Sequence, residues 1–451
     1  MNKKMVILGG GESGLGAAML GKQQGYDVFV SDESSLKEDY RNQLQTGGIE
    51  FEEGRHTEEK ILEAEEVVKS PGISEKNELV KKIRAKGIEV ISEIELAYRF
   101  KGNSRIIAIT GSNGKTTTTA LTFHICQTAG LNCAMVGNIG YSFARQVASN
   151  PKELYVAEVS SFQLDDIKTF RPDVAVLTNI TPDHLDRYEY NFENYVRSKF
   201  RIAMNQTTDD YFIYNADDHI TMKYMNLPVT TGIEIKSNQL PITMRNEVPN
   251  GAFIKDGDMY VRTGNDFVAM SVFDFALKGK HNQYNTMAAC LAAVTMEIRK
   301  EKIREAVQTF HSIEHRMEYI STVRGVDFIN DSKATNVNST WYALESMEKP
   351  TLLILGGVDK GNDYSLIRDL VKEKVKAIIC LGLDNRKIHE AFGNVVSPIV
   401  NTVSARDAVQ AAFHFAKKGD VVLLSPACAS FDLFKNYEDR GDQFRKAVKE
   451  L

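Results

Sequence analysis

A three-domain α/β protein, with a mainly parallel sheet in each domain, is the fold class that this sequence predicts. Three observations carry the prediction. The chain has 451 residues, about three times the ~150 of an ordinary domain. Short apolar runs alternate with amphipathic stretches along most of its length, the pattern of βαβ units. That alternation restarts twice, after the polar stretch FKGNSR (Phe100 to Arg105) and again beyond Phe310. The composition, 43% hydrophobic and 25% charged with a formal net charge of −5, is that of a globular chain. It excludes a disordered, collagen-like or polybasic nucleic-acid-binding protein.

The first domain, residues 1–97, opens on the strand MVIL, followed by a helix from Ser13 to Gln24, then DVFVSD, and later VVKS and IEVIS. Strands separated by helices of this length form a parallel sheet. The second domain, 98–312, starts with RIIAIT, a glycine turn and a helix from Thr116, then ELYVAEVS and DVAVLTNI, all read as buried strands. Between about Pro228 and Lys278 the period becomes two, in YVRT and FVAMSVFDF with turns such as KDGD, which predicts a small antiparallel insertion. A helical hairpin follows, His281 to Arg299 and Lys302 to Phe310. The third domain, 313–451, repeats the α/β pattern in VDFIND, TLLILGG, AIICLG and VVLLSP. Its glycine-terminated strands imply a second doubly wound sheet.

No apolar run approaches the ~18 residues of a membrane helix. Only Met5 to Leu8 are apolar before glycines and Glu12, too short for a signal sequence. The expected location is the cytoplasm, with no membrane or nucleic-acid partner. The five cysteines (Cys126, Cys133, Cys290, Cys380, Cys428) are scattered and form no CxxC pair. They suggest reduced core thiols rather than a disulfide framework or a zinc site.

The turn GGGESG places Gly9, Gly11 and Gly14 in G-x-G-x-x-G spacing between a strand and a helix, with Asp32 ending the next strand. Backbone amides at such a helix start can approach a diphosphate. A nucleotide or diphosphate, pure turn geometry, and NAD all remain open for this turn. The segment RIIAITGSNGKTTTT is more specific. Gly111, Ser112, Asn113 and Gly114 make an anion nest ahead of Lys115, which can reach β/γ-phosphates, and Thr116 or Thr117 can hold Mg²⁺. ATP is the economical ligand, although Ile109 stands where the strict pattern has glycine.

Metal ligands are expected on neighbouring strand ends. Glu158 follows YVA at the end of a buried strand, where an unpaired carboxylate is costly without a cation; a salt bridge or a helix cap is the alternative. His184 lies in TNITPDHLDRY beside Asp183 and Asp186, and two Mg²⁺ sites would fit, or a solvent-facing loop histidine. Lys199, one turn from Tyr195, reads on its own as an ordinary solvated lysine. Asn282 and Asn285 begin an apolar helix, where asparagine is more often a cap. Asp331, Lys333, Thr335, Lys360 and Ser430 all follow apolar strands, where α/β folds bind ligands. Together they suit an anion with more than one carboxylate.

In this order, TGSNGKTTTT, EVSSFQLD, TNITPDHLDRY, the lysine of YVRSKFR, HNQYN, EHRME, NDSKATN, GGVDKG and SPACASFD resemble the Mur ligases over nearly the whole chain. The resemblance implies a Rossmann-like N-terminal domain, a central P-loop ATPase-like domain and a Rossmann-like C-terminal domain. SSFQLD and SPACAS are similar to the members that add D-glutamate to UDP-N-acetylmuramoyl-L-alanine, and the DNPR motif of third-residue enzymes is absent. By this resemblance Ser13, Gly14, Asp32, Ser70, Pro71 and Gly72 meet the UDP end of the substrate, and Asn138 its muramoyl-alanine part. Gly111 to Thr117, Asn285, Arg316 and Asp331 bind ATP. Thr116, Glu158, His184 and Lys199, the last as a carbamate, hold two Mg²⁺, and Lys115, Lys199 and His184 are catalytic. Lys333, Thr335, Lys360, Ser430 and Phe431 receive D-glutamate. Phe431 and Tyr437 depart from the leucine and phenylalanine frequent in relatives.

The implied reaction is amide ligation by a monomer acting on small molecules. ATP phosphorylates the L-alanyl carboxylate, the amine of D-glutamate attacks the acyl phosphate, and phosphate leaves. Two Mg²⁺ and Lys115 neutralise the repulsion among anionic substrates, and closure of the third domain excludes water. The alternatives are another Mur or folylpolyglutamate-type ligase, a P-loop kinase or switch NTPase, a non-enzymatic nucleotide-binding module and, remotely, an NAD-dependent dehydrogenase.

Overall fold

The structure, a computed structural model, describes residues 3–226, 232–264, 266–310 and 314–451. The expected 312/313 boundary and the Pro228 start of the insertion lie outside the described residues. Three sheets form, each with mainly parallel strands.

The first contains β1 (Lys4–Leu8), β2 (Asp27–Asp32), β3 (Glu50–Glu53), β4 (Glu66–Lys69) and β5 (Glu89–Ile91), in the order β3-β2-β1-β4-β5, all parallel. The strand order reverses between β1 and β4, so a crevice opens beyond their carboxyl ends. The GGGESG turn follows β1 and the Ser70-Pro71-Gly72 turn follows β4. Both therefore sit at that switch point. The helix Glu12–Gln23 lies so close to the turn that a Cβ on Gly14 would come 1.8 Å from the Gly9 carbonyl oxygen. Glycine at that position is a packing requirement.

The second sheet has nine strands: β6 (Arg105–Thr110), β7 (Cys133–Gly137), β8 (Leu154–Glu158), β9 (Val174–Leu177), β10 (Tyr211–Asn215), β11 (Asn238–Thr243), β12 (Gly251–Lys255), β13 (Asp258–Thr263) and β14 (Asp266–Ser271). Their order is β14-β13-β12-β11-β10-β9-β6-β8-β7. Every residue of β8 and β9, and all of β6 after Arg105, is buried, as expected of strands covered on both faces. The segment expected to be an antiparallel insertion is instead continuous with this sheet. β11 runs parallel to β10 and β12 pairs parallel with β11, and only β12–β13–β14 are antiparallel. A period of two reports a half-buried strand and says nothing of its direction.

The third sheet contains β15 (Glu318–Val323), β16 (Val326–Asn330), β17 (Thr351–Leu355), β18 (Val375–Leu381), β19 (Ile399–Thr402) and β20 (Val421–Leu424), ordered β15-β16-β20-β17-β18-β19. β15 forms an antiparallel hairpin with β16, and the other pairings are parallel. Because β16, β20 and β17 are neighbours, the loops that follow them lie side by side at one edge.

The first two sheets share one compact unit, Met1–Ala276 with Gln283–Phe310, and the third belongs to another, Leu277–Asn282 with His311–Leu451. Within the first unit, buried polar groups join the two sheets. The Glu95 carboxylate accepts bonds from the Lys168, Thr169 and Phe170 amides and pairs with Arg99. Buried Lys69 pairs with Asp166, which also receives Arg84. Glu93 accepts from the Ala144 amide, and burial raises its carboxyl to about 7. No helix among the described residues is long and apolar enough to cross a membrane.

Candidate functional site

The loop after β6 is shaped by its glycines. Gly111 has φ +149° and Gly114 has φ +82°, and a Cβ on either would strike the Thr178 hydroxyl at 1.9 Å or the Asn285 amide oxygen at 2.4 Å. Only glycine lets the loop lie this close to its neighbours. The helix Lys115–Thr128 begins at once, with Thr116 and Thr117 both buried at its first turn. Asn179 ties the loop down. Its side chain accepts from the Asn113 amide and donates to the Asn113 carbonyl, each at 3.0 Å, while the Thr178 hydroxyl donates to that same carbonyl at 2.6 Å. The Ser112 hydroxyl bridges the Thr181 backbone and the Tyr195 hydroxyl.

Two lysines converge here. Lys115 Nζ donates to the carbonyls of Gly111 and Ser112 at 2.8 and 2.9 Å, and Lys199 Nζ donates to the Gly111 carbonyl at 2.8 Å. Lys199 belongs to the helix Phe192–Phe200, is only 2% exposed, and stands 4.6 Å over the Tyr195 ring. The solvated-lysine reading is thereby overturned, because this helix packs its lysine beneath the phosphate loop instead of toward water. Burial, reinforced by the charge of Lys115, holds the amine well below the ordinary lysine value, with Asp183, Asp165 and Glu158 opposing.

Glu158 ends β8 at 1% exposure. One carboxylate oxygen accepts from the Asn138 side chain at 2.8 Å, and the other is buried with no hydrogen-bond partner. An unpaired buried carboxylate oxygen is costly, and such an atom fits a cation. Among the described residues neither a salt bridge nor a cap occupies it. Asn138, expected against the substrate, also anchors its amide on the Glu158 carbonyl at 2.9 Å, so it holds the carboxylate as well. His184 has φ +52° and precedes the 3₁₀ turn Leu185–Tyr188, with its ring half-exposed and packed edge-to-face with Phe162 at 5.2 Å. Among the described residues no three His, Cys, Asp or Glu side chains form a ready-made cage. A cation here would draw on mixed donors, namely Glu158, His184, the Thr116 hydroxyl and a modified Lys199.

At the first sheet, Asp32 accepts from the Gly10 amide at 2.7 Å, and the Ser70 hydroxyl donates to the Gly9 carbonyl at 3.3 Å. The glycine turn, Asp32 and the serine turn thus form one wall, with Ser13 half-buried on the helix that follows. The Pro71 and Gly72 carbonyls accept bonds from Arg187 of the central sheet's loop, a residue of TNITPDHLDRY to which the sequence reading gave no role.

Asn285, on the helix Lys280–Thr295, belongs to the central unit and accepts from the Thr118 hydroxyl at 3.2 Å. It lies inside the helix and is not its cap; Asn282, also inside the first turn, donates its side-chain amide to the Lys278 carbonyl. Arg316 and Asp331 belong to the C-terminal unit. Asp331 is buried, accepting from the Met317 amide and the Ser425 hydroxyl. Burial pushes its carboxyl up to about 6, with Arg316 opposing. A carboxyl raised in this way keeps its proton in the folded state between about pH 4 and 6, so its cost to stability appears as pH rises through that window. The shift from 3.8 to about 6 corresponds to about 3 kcal/mol. Asp331→Asn is expected to flatten the accompanying fall in thermal midpoint, and equal pH slopes in both proteins would refute the assignment.

Lys333 and Thr335 follow β16, Lys360 follows β17, and Ser430 and Phe431 follow β20. Lys333 stands 5.4 Å over the Tyr437 ring, Lys360 is exposed, Ser430 is buried and Phe431 is 71% exposed. Buried Arg440 links two of these loops, donating to the Ser332 hydroxyl and carbonyl and to the Cys428 carbonyl. Its partners are backbone and hydroxyl oxygens distant in sequence, so no local pattern pointed to it.

Comparison with known proteins accords with this geometry. Family models match a MurD-like N-terminal domain of Mur ligases over residues 3–92, the Mur ligase middle domain over 109–293 and the Mur ligase glutamate ligase domain over 315–428. The chain is 54% identical to the UDP-N-acetylmuramoylalanine–D-glutamate ligase of Christiangramia forsetii and 52% identical to that of Bacteroides fragilis, in each case over 100% of both chains. In fold it is similar to a type C pseudomurein peptide ligase from Methanothermus fervidus (TM-score 0.63, 21% identity) and to the UDP-N-acetylmuramate-alanine ligase MurC from Thermotoga maritima (TM-score 0.63, 15% identity), covering 100% of each pair. A phosphate loop, an orphaned strand-end carboxylate and likeness to these enzymes from end to end lead to one conclusion: the chain belongs to the Mur ligase family, in the branch of the UDP-N-acetylmuramoylalanine–D-glutamate ligases.

Proposed function

We propose that this chain is an ATP-dependent amide ligase that joins D-glutamate to UDP-N-acetylmuramoyl-L-alanine in the synthesis of peptidoglycan precursors, releasing ADP and phosphate. The observation that carries this is the 54% identity over the full length of both chains. The two lysines at the phosphate loop, Lys115 and the buried Lys199, support it. The division into 1–97 for the UDP-substrate, 98–312 for ATP and 313–451 for the amino acid is part of the same reading, as are a monomeric state and a cytoplasmic location.

The chemistry follows from charge. A carboxylate is a poor electrophile, and its approach to the γ-phosphate brings anions together. Lys115 leaves its carbonyl partners for the β/γ-phosphates, and the loop amides cradle the rest. Thr116, Glu158, His184 and carbamylated Lys199 would hold two Mg²⁺, which when bound neutralise the triphosphate and the reacting carboxylate. The carbamate forms as the neutral Lys199 amine adds to CO₂ and gives up one proton; counted from the ammonium form, two protons leave and a cation becomes an anion. The depressed amine makes the neutral form available. Asn285, Arg316 and Asp331 bind the adenine nucleotide. Ser13, Gly14, Asp32, Ser70, Pro71 and Gly72 take the UDP end of the substrate, and Asn138 orients both Glu158 and the muramoyl-alanine tail. Lys333, Thr335, Lys360, Ser430 and Phe431 position D-glutamate, whose amine attacks the acyl phosphate and expels phosphate.

Phosphate release from ATP in the presence of UDP-N-acetylmuramoyl-L-alanine tests the assignment. D-glutamate is expected to support turnover at least about 100-fold above L-glutamate or L-lysine, a ratio that a pocket pairing buried polar groups with its substrate readily supplies. Comparable rates with another acceptor would move the chain to a sibling activity. Release without any acceptor would favour a plain NTPase.

A further inference from the structure

We propose that Arg187 is a positioning residue that couples the nucleotide-sugar site of the first sheet to the His184 loop of the central sheet. The proposal rests on the site assignments above and extends them to a residue that they leave without a role.

Arg187 lies in the 3₁₀ turn Leu185–Tyr188, three residues beyond His184. Its guanidinium reaches into the first sheet's serine turn, donating to the carbonyls of Pro71 at 3.0 Å, Gly72 at 3.1 Å and Ile73 at 3.3 Å. That turn in turn touches the glycine turn through the Ser70 hydroxyl. The opposite contact of the guanidinium is the face of Phe162, at 4.4 Å. The same ring packs edge-to-face with the His184 imidazole at 5.2 Å and stacks on Tyr188 at 5.8 Å. The Arg187 amide also donates to the His184 carbonyl at 3.0 Å, closing the turn that keeps His184 in its left-handed conformation. Lys76 adds a parallel tie to the Asp186 carbonyl at 2.8 Å.

A guanidinium suits this position better than an ammonium would. Its planar fork serves several carbonyls at once while its face lies on an aromatic ring. Among the described residues no carboxylate lies within ion-pair distance of Arg187, so its bonds are spent on the substrate turn and on Phe162. A ligand that settles the Ser70-Pro71-Gly72 turn also settles the guanidinium, then Phe162, then the imidazole. By linkage, a cation and nucleotide held by the His184 loop must tighten the substrate site by the same factor.

The test uses the full-length protein and isothermal titration of UDP-N-acetylmuramoyl-L-alanine, with and without Mg²⁺ and a non-hydrolysable ATP analogue. The unaltered protein is expected to bind the nucleotide sugar about tenfold tighter with the nucleotide present, within the usual range of coupling between sites. Arg187→Met keeps a long unbranched side chain and removes the guanidinium from Phe162 and the carbonyls. It is expected to reduce that factor to about one while leaving each single-ligand affinity within about threefold and the KM for D-glutamate unchanged. Arg187→Lys is expected to restore only part of the coupling, because an ammonium has no planar face to lay on Phe162 while it bonds the carbonyls of the turn. A thermal midpoint within a few degrees of the unaltered protein shows that each variant is folded; if Arg187→Met is not, the lysine variant carries the test alone. Full coupling retained in the folded variant, or no coupling in the unaltered protein, overturns the proposal. Failure of the site assignments looks different: the unaltered protein would then bind no nucleotide sugar at all.

Discussion

Replacing Lys115 with alanine is expected to lower ATP-dependent turnover by about 10³-fold while changing the affinity for UDP-N-acetylmuramoyl-L-alanine by less than about threefold. The first figure is the scale of losing one preorganised cation at a phosphoryl-transfer centre. The second follows from placement. Lys115 opens the helix after β6 and bonds to carbonyls of its own loop, whereas the turns assigned to the nucleotide sugar follow β1 and β4 of another sheet. The substitution also leaves the loop itself in shape. Gly111 and Gly114 set its backbone, and Asn179 and Thr178 hold Asn113. Steady-state phosphate release and direct titration of the nucleotide sugar separate the two effects. Equal losses in both would refute a division of labour between the sheets.

The same residues show what a sequence can and cannot disclose. The phosphate loop was legible because its chemistry is local: consecutive amides, two glycines and a lysine within a few residues of a buried strand. Glu158 was legible for a related reason, since a carboxylate closing a wholly apolar strand has to be answered by something. Lys199 was legible only through resemblance to a family. Its helix places it in solvent by ordinary statistics, and what buries it is the packing of Phe192–Phe200 under a loop some ninety residues earlier in the chain. Arg187 was given no role although it lies within TNITPDHLDRY, and Arg440 escaped altogether, because most of their polar partners are backbone carbonyls of other loops, which leave no side-chain pattern to read. Strand direction escaped similarly: alternation marked the strands around β11 to β14 and could not say which of them run parallel. β15 and β19 were missed as well, the first half-exposed along its length and the second only four residues long.

Lys199→Met is expected to move activity and stability in opposite directions. Turnover should fall by about 10³-fold, the equivalent of about 4 kcal/mol of transition-state stabilisation, if the side chain serves as a metal-holding carbamate. Thermal stability should rise. An amine whose folded-state value lies below its ordinary one costs stability at every pH under 10.5, and that cost fades as pH climbs toward the ordinary value. Methionine has nearly the same length and no charge to desolvate, and replacement of buried charges by apolar side chains commonly stabilises by about 1–4 kcal/mol. The Gly111 carbonyl keeps a donor, because Lys115 bonds to it too. A rise in midpoint of about 2 °C or more at pH 7, shrinking by pH 10, is therefore expected from calorimetry. Bicarbonate with Mg²⁺ sharpens the test. Carbamylation replaces the costly amine by an anion that a cation can answer, so these additions should stabilise the unaltered protein, narrow the gap and leave the variant unmoved. A variant less stable than the parent at pH 7, or a parent indifferent to bicarbonate, would show that the buried amine serves as a structural cation on the phosphate loop and not as the precursor of a ligand.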